Sequence, residues 1–309
     1  MSDSSQGRMP PKQLLHPRYW PNWIGVGLLV ATTYLPYTLQ MAIGKTLGLI
    51  LHKVARSRRH IAEVNMDLCF PEKSAAERAA LVRQIFIDNG KGMMETLIGW
   101  FRAPDHLAGR TRFHGFDKLR KAQEEGKGVL LLGAHYSMLD LAGALFITQL
   151  PANISYRPQD NPVMNWLMER RRARLYIDCF TRKDIRGFIR CLKKGQILWY
   201  AQDQDFGRKN SIFVDFFGIP TATITATSRI AKAGQAYVMP MTYFRAEDNT
   251  YDVTIHDPLP IPSGDEVADA ELANKFIEDQ LRQHPSQYLW LHRRFKTRPV
   301  KGESFYKKK

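Results

Sequence analysis

The chain has 309 residues, enough for one large domain with a substantial hydrophobic core. Its 45 Lys and Arg exceed its 30 Asp and Glu by 15, so we expect acidic partners: an anionic membrane, phosphorylated substrates, nucleic acid or an acidic protein. The three cysteines form no C-x-x-C pair, which argues against a disulfide framework and against a zinc site.

The first predicted element is an uncharged stretch over residues 19–44. A run of roughly 20 apolar residues can cross a bilayer as a helix, and the tryptophans and tyrosines of this stretch favour the membrane interface. The sequence therefore predicts an N-terminal segment over 1–18, a membrane anchor over 19–44 and a catalytic domain over 45–309. A buried or interfacial helix is the alternative, since Pro36 and two adjacent threonines weaken a span.

Basic residues flank this stretch on both sides, and the heavier cluster lies downstream. The downstream cluster comprises Lys45, Lys53, Arg56, Arg58 and Arg59. Because Lys and Arg are enriched on the cytoplasmic side of membrane segments, we expect the catalytic domain in the cytosol. The same charges can hold it against anionic lipid headgroups.

Helices and strands alternate after residue 70. Ser74 is a predicted helix cap, and the apolar run Val129–Leu132, bracketed by glycines, is typical of a strand buried on both faces. A helix closing at Pro151 follows it, and a later basic helix stops at Gly195. This alternation predicts an α/β fold with a central, mixed but mostly parallel sheet flanked by helices. Functional groups in such folds gather where strands end and helices begin.

The stretch GAHYSMLDLAG at 133–143 has His135 at such a junction and Asp140 in the next helical turn. A histidine is the usual proton acceptor for an alcohol nucleophile, and a carboxylate can orient its ring. By spacing alone, a structural histidine is an equal alternative. No G-x-S-x-G elbow surrounds Ser137, so we expect a helix cap there rather than a nucleophile. One His and one Asp are too few ligands to predict a metal site.

Longer blocks of the sequence resemble the late acyltransferases of lipid A biosynthesis. These blocks are LLHPRYW (14–20), NMDLCFPE (65–72), GMMET (92–96), LLLGAHYSMLDLAG (130–143), YRPQDNPVMNWL (156–167), RKDIRGFIRCLKKGQILWYAQDQDFGRKNSIFVDFFGI (182–219) and QYLWLHRRFKTRP (287–299). They cover nearly the whole chain, and the later blocks are far more specific than the His–Asp pair.

The resemblance implies a glycerolipid-acyltransferase-like fold at the bacterial inner membrane, attached by a single pass or monotopically. It implies transfer of a fatty acyl chain from acyl carrier protein to a hydroxyacyl chain of Kdo2-lipid IVA. Because the sequence resembles the lauroyltransferase branch, the implied acyl chain is lauroyl. No cofactor is implied, because acyl carrier protein brings the acyl group as a co-substrate. The implied general base is His135, with Asp140 orienting its ring. Many members of this branch have Glu where the chain has Asp140, and both side chains supply a carboxylate.

Three further residues lie within the family-like blocks and are candidates for substrate binding. Arg157 and Arg172 can hold phosphate or carbonyl oxygens through forked donors, and Asp203 follows an apolar run. A structural role is the alternative for each of them, because ion-pair networks and solvated basic helices are common. For His292 we expect a structural role.

Other functions compete with this interpretation. The donor chain could instead be myristoyl or palmitoleoyl, or the acceptor a glycerophospholipid, although the chain lacks an evident Glu-Gly-Thr-Arg block. From another class, the chain could be a non-enzymatic, membrane-anchored basic protein that binds lipid or nucleic acid. Aromatic residues interleave with its basic stretches, but no nucleic-acid motif accompanies them, so nucleic acid is not an expected partner.

Overall fold

The computed structural model of the protein describes residues 10–307. Residues 1–9, half of the predicted N-terminal segment 1–18, lie outside this range. The helices are α1 (Trp20–Thr32), α2 (Tyr37–Val54), α3 (Arg56–Cys69), α4 (Ala75–Phe101), α5 (Phe116–Glu124), α6 (Leu139–Phe146), α7 (Pro162–Leu175), α8 (Ile185–Lys193), α9 (Ala226–Gly234) and α10 (Glu266–Gln283). The strands are β1 (Thr111–His114), β2 (Val129–Gly133), β3 (Asn153–Tyr156), β4 (Cys179–Thr181), β5 (Ile197–Ala201), β6 (Ile212–Phe216), β7 (Ile219–Thr223), β8 (Tyr237–Arg245) and β9 (Tyr251–Ile255).

A seven-stranded sheet in the order β1-β9-β8-β2-β5-β3-β4 forms the centre of the molecule. Its neighbouring strands are parallel except for the antiparallel pair β8–β9. Strands β6 and β7 form a separate antiparallel hairpin. The predicted α/β fold with a mostly parallel sheet is confirmed, while the likeness to glycerolipid acyltransferases stays a prediction.

Both faces of this sheet are covered, as the continuous apolar run of β2 requires. Leu131 of β2 joins the larger hydrophobic cluster, to which α2, α3, α4 and α6 contribute. Its neighbours Leu130 and Leu132 point the other way, into a cluster with α8 and α9. The alternation of side chains along a strand thus separates a first face, under α4 and α6, from a second face, under α8 and α9.

The predicted membrane anchor over 19–44 is two helices rather than one. The hydroxyls of Thr32 and Thr33 donate to carbonyls three residues earlier, at 2.6 and 2.7 Å, and Pro36 has no N–H to continue the helix. The 13 residues of α1 extend about 20 Å, short of the roughly 30 Å hydrocarbon core. Among residues 10–307, no helix has both the length and the apolarity to cross a bilayer. The described residues therefore do not form the single spanning helix predicted over 19–44, and the membrane anchor stays a prediction.

Helix α2 continues past residue 44 and packs closely against α4. Glycines make this contact possible, because a Cβ on Gly48 would lie 2.3 Å from the carbonyl oxygen of Phe86. A Cβ on Gly90 would lie 2.2 Å from that of Gly44. Backbone therefore meets backbone along this helix pair, and α2 is part of the globular body.

Two predicted helix ends are confirmed and two are wrong, one of them the end of α6, which lies at Phe146 rather than at Pro151. Ser74 caps α4 in a reciprocal capping box with Glu77. Helix α8 ends just before Gly195, whose φ of 72° lies in the left-handed region that favours glycine. Ser137 does not cap α6, whose N-cap is Met138. The hydroxyl of Ser137 is instead buried, without a hydrogen-bond partner among residues 10–307.

Candidate active site

The centre of the site is a pair formed by His135 and Asp203. Strands β2 and β5 are parallel neighbours in which Gly133 pairs with Ala201, and each functional residue lies two positions beyond its strand. Asp203 Oδ1 accepts a hydrogen bond from His135 Nδ1 at 2.7 Å, and Oδ2 accepts one from the His135 backbone N–H at 2.8 Å. Because a carboxylate can only accept, Nδ1 carries the proton and Nε2 is the free basic nitrogen.

The pKa values of Asp203 and His135 are both shifted by their interaction. Burial raises the pKa of Asp203, but the charge of His135 and the hydrogen bonds from it outweigh that effect and lower the pKa to about 2. Burial lowers the pKa of His135, yet the charge and hydrogen bond of Asp203 more than offset it, and the pKa is raised above 6.5. The Asp203 side chain is buried, whereas that of His135 is 26% exposed. The buried carboxylate therefore holds the imidazole through Nδ1, while part of the ring stays accessible to solvent.

Asp140 is paired with Arg172 instead of His135. Asp140 Oδ1 accepts from Arg172 Nη2 at 2.7 Å and from Nε at 3.2 Å, and both side chains are mostly buried. Asp140 lies in the first turn of α6 and Arg172 in the last turn of α7, so this ion pair joins the two helices. The expected pairing of His135 with Asp140 is not formed, because the adjacent strand β5 already supplies a carboxylate to Nδ1. The charges of Asp140 and Arg172 nonetheless act on the pKa of His135.

A C-terminal strap, defined as residues 287–294, holds the loop that carries the histidine. The Gln287 carbonyl accepts from Ser137 N–H at 3.1 Å, and Leu289 N–H donates to the His135 carbonyl at 3.0 Å. The Tyr288 hydroxyl donates to the backbone carbonyl of Asp203 at 3.2 Å. The strap thus fixes both halves of the pair through the backbone.

In the sequence the strap is visible only as part of a family-like block, 287–299. Its signal was the aromatic and apolar run YLWL in a C-terminal segment that the helix and strand patterns did not explain. Tyr243, on β8, adds to the same support, since its buried hydroxyl donates to the Ala134 carbonyl next to the histidine. Neither tyrosine had been predicted at the site.

A narrow polar cavity is lined by His135, Asp203, His292 and Arg294, among others. A second, apolar cavity has a volume of about 20 Å³ and is lined by residues of α6 and of strands β2, β3, β5 and β8. Trp199 lines the apolar cavity and lies edge-on to the His135 ring at 6.3 Å between centroids. The apolar cavity and the histidine therefore share Trp199 as a neighbour.

Of the remaining residues, Arg157 lies further out and His292 lies at the site. Arg157 follows β3 and pairs at 2.7 Å with Asp160, and both are well exposed. Arg157 contacts neither the His135–Asp203 pair nor the Asp140–Arg172 ion pair. His292 was expected to be structural; its backbone carbonyl accepts from Asn65 at 3.0 Å, while its ring lines the polar cavity. Within the described range, no three His, Cys, Asp or Glu side chains are grouped to hold a metal ion.

Comparison with known proteins gives this geometry a family. The family model for bacterial lipid A biosynthesis acyltransferases matches residues 10–297. The chain is 38% identical to the lipid A biosynthesis lauroyltransferase of Escherichia coli K12, over 95% of the chain and 97% of that protein. It is 36% identical to the palmitoleoyltransferase of the same strain, over 96% and 97%, and 30% identical to the myristoyltransferase, over 96% and 94%. The resemblance found in the sequence blocks is confirmed: the chain belongs to the bacterial lipid A biosynthesis acyltransferases.

Proposed function

We propose that the protein transfers a fatty acyl chain from acyl carrier protein to a hydroxyacyl chain of Kdo2-lipid IVA. The observation that carries this proposal is a partly exposed histidine, locked by a buried aspartate and lying beside an apolar cavity, within this family. Lauroyl is the proposed donor chain, because the lauroyltransferase is 38% identical to the chain and the myristoyltransferase 30%. Palmitoleoyl is the alternative, supported by a relative at 36%.

In the proposed reaction His135 is the general base. Its Nε2 accepts the proton of the acceptor hydroxyl as that oxygen attacks the thioester carbonyl. The C–S bond then breaks as the ester C–O bond forms, and the imidazolium returns the proton to the leaving thiolate. Asp203 stabilises the imidazolium and fixes the tautomer through Nδ1. No cofactor takes part, since the thioester itself supplies the activated acyl group.

The ion pair of Asp140 and Arg172 has a supporting role in this proposal. Arg172 is the cation that acts on the pKa of His135, so it lies near the charge that develops during the reaction. Arg172 donates to Asp140 through Nε and Nη2. Its Nη1 group is left to donate to an oxyanion or a phosphate oxygen. Asp140 then acts as the residue that positions this guanidinium.

The apolar cavity is the proposed site of the acyl chain. Two glycines lie directly against its aromatic residues: a Cβ on Gly133 would lie 2.2 Å from Trp199 Nε1, and one on Gly143 would lie 2.0 Å from the Tyr176 hydroxyl. An added methyl group at either position would force an aromatic side chain to move. In the proposed function these aromatic side chains move to admit the acyl chain, and the residues that line the cavity set the donor chain length.

We propose monotopic attachment to the inner membrane at its cytoplasmic face, through α1. Trp20, Ile24 and Leu28 follow one another at a spacing of four residues and are 58%, 64% and 67% exposed. Such a stripe suits burial at the boundary between headgroups and acyl chains. Trp23 ties the helix to the body, because its ring packs edge-on against Trp166 at 5.7 Å.

The test uses the purified protein with acyl carrier proteins loaded with different chains and with tetra-acylated Kdo2-lipid IVA. Mass spectrometry is expected to find one added acyl chain, and His135→Ala to lose nearly all turnover while remaining folded and membrane-associated. Transfer to lysophosphatidate but not to Kdo2-lipid IVA would support the glycerophospholipid alternative. If no acyl transfer is measured, and His135→Ala binds lipid or nucleic acid as the wild type does, the non-enzymatic alternative would be supported.

A further inference from the structure

A dense group of positive charges lies on α8 and the loop before it. Six of the thirteen residues from Arg182 to Lys194 are Lys or Arg, and one is acidic. We call these six residues the α8 basic face: Arg182, Lys183, Arg186, Arg190, Lys193 and Lys194. All six are exposed, and none has a carboxylate partner within residues 10–307. The one acid, Asp184, is used inside the helix, where its side chain accepts from Gly187 N–H.

The fold turns these charges outward. Phe188, Cys191 and Leu192 are buried in the cluster under the second face of the sheet. Arg186, Arg190 and Lys193, at i, i+4 and i+7, therefore share the opposite side of the helix. A solvated helix normally mixes both signs of charge, so an unpaired stripe of one sign is suited to a negative partner.

This face begins at the same edge of the sheet as the candidate active site. In the order β2-β5-β3-β4 all strands are parallel, so β4 ends three strands from β2, a distance of about 14 Å at the usual strand spacing. Arg182 directly follows β4, and its guanidinium lies over the Phe206 ring at 5.7 Å. Phe206 is three residues after Asp203 on the loop that follows β5. The start of the basic face, at Arg182 and Lys183, therefore borders the site, and α8 then runs toward the opposite edge of the sheet, where β5 begins.

Its position distinguishes a protein partner from the membrane. Helix α8 covers the second face of the sheet, whereas α1 and α2 pack with α4 on the first face. The exposed stripe of α1 and the α8 basic face therefore belong to helices on opposite faces of the sheet. Ile185, 40% exposed at the start of α8, gives the basic face an apolar residue of the kind that anchors protein interfaces.

We propose that the α8 basic face is the docking surface for the acidic carrier protein that delivers the acyl thioester. This inference rests on the proposed function and adds to it the surface that recognises the donor. A carrier bound here would have its thioester, at the end of a flexible arm, within reach of His135. Opposite charges on the two proteins would raise the association rate and lower the KM for the donor, with little effect on the chemical step.

The test compares two donors of the same acyl chain, one carried by acyl carrier protein and one by free pantetheine. In the full chain, the variant Arg186→Glu, Arg190→Glu, Lys193→Glu is expected to raise the KM for the carrier-bound donor about tenfold or more, with kcat changed less than about threefold. Its kcat/KM for acyl-pantetheine is expected to equal that of the wild type. The matched control is Arg120→Glu, Lys121→Glu on α5, whose side chains are also exposed. It should leave both donors unaffected.

Direct binding supplies a second readout that does not depend on turnover. Fluorescence polarisation of labelled acyl carrier protein is expected to lose affinity with the triple variant and with salt raised from about 50 to 500 mM. An unchanged KM and unchanged carrier affinity in the triple variant would overturn the inference, as would loss of vesicle binding with carrier affinity intact. Absence of transfer from both donors by the wild type would instead overturn the proposed function, and the polarisation assay would still test the docking surface.

Discussion

Asp203→Asn keeps the size of a buried side chain and removes its charge. In the wild type the two carboxylate oxygens accept one hydrogen bond each from the His135 backbone and ring. An amide has one acceptor oxygen, so its NH2 group must face one of these two nitrogens. When the oxygen accepts from the backbone N–H, the NH2 donates to Nδ1. The ring proton then moves to Nε2, which can no longer accept a proton from the acceptor hydroxyl.

The expected effect is large because two contributions disappear together. A correctly held general base contributes about 10²–10⁴-fold. A hydrogen bond to a charged group contributes about 1.5–3 kcal/mol, or about one to two decades of rate at 1.36 kcal/mol each. These overlap, so we expect kcat to fall about 10²–10⁴-fold, with KM changed less than about threefold, since Asp203 does not face the substrate.

The assay is the pH profile of kcat/KM with carrier-bound donor. A base must be deprotonated to act, so wild-type activity should rise with pH through a pKa above 6.5, the direction in which Asp203 shifts His135. In Asp203→Asn that limb should move to lower pH, because the raising charge is gone. Asp140→Asn is the comparison, and its limb should move to lower pH by less than that of Asp203→Asn, because Asp140 raises the pKa of His135 less than Asp203 does. Wild-type turnover in Asp203→Asn, or a shifted limb only in Asp140→Asn, would refute the pairing.

Three more perturbations follow from single contacts. Gly143→Ala should shift the donor preference to shorter chains in a panel of acyl donors, because the new methyl group displaces the Tyr176 hydroxyl into the apolar cavity; an unchanged preference would exclude this cavity. Ile24→Glu should weaken binding to anionic vesicles about tenfold or more in co-sedimentation, whereas Val267→Glu, at an exposed apolar residue of α10, should not. Arg172→Gln should lower the unfolding free energy by about 3–5 kcal/mol in urea titration, since its carboxylate partner stays buried without a cation; a change below about 1 kcal/mol would contradict that account.

The stretch over 19–44 is divided into two helices for a local reason. It is uncharged and has enough residues to cross a bilayer, but length in residues does not ensure one continuous helix. Pro36 and the hydrogen bonds of Thr32 and Thr33 divide the stretch, and the glycines of α2 direct its second half onto α4. The sequence shows that Pro36 weakens a spanning helix. It does not show that α2 packs against another helix.

The partner of His135 illustrates a different limit. Sequence proximity favoured Asp140, five residues away, whereas the observed partner Asp203 is 68 residues away. Both His135 and Asp203 follow buried apolar strands, which is visible in the sequence. That β2 and β5 are adjacent is decided by the order of seven strands, which no local pattern encodes.

By itself, the sequence determined the α/β class, the buried strand before His135, the basic character and the family, because each depends on periodicity, composition or blocks of residues read along the chain. Tertiary structure decided which carboxylate holds the histidine, that Asp140 and Arg172 form their own ion pair, and that the strap 287–294 supports the site. These are contacts between residues far apart in the chain, and they exist only once the strands are ordered and the helices packed on them.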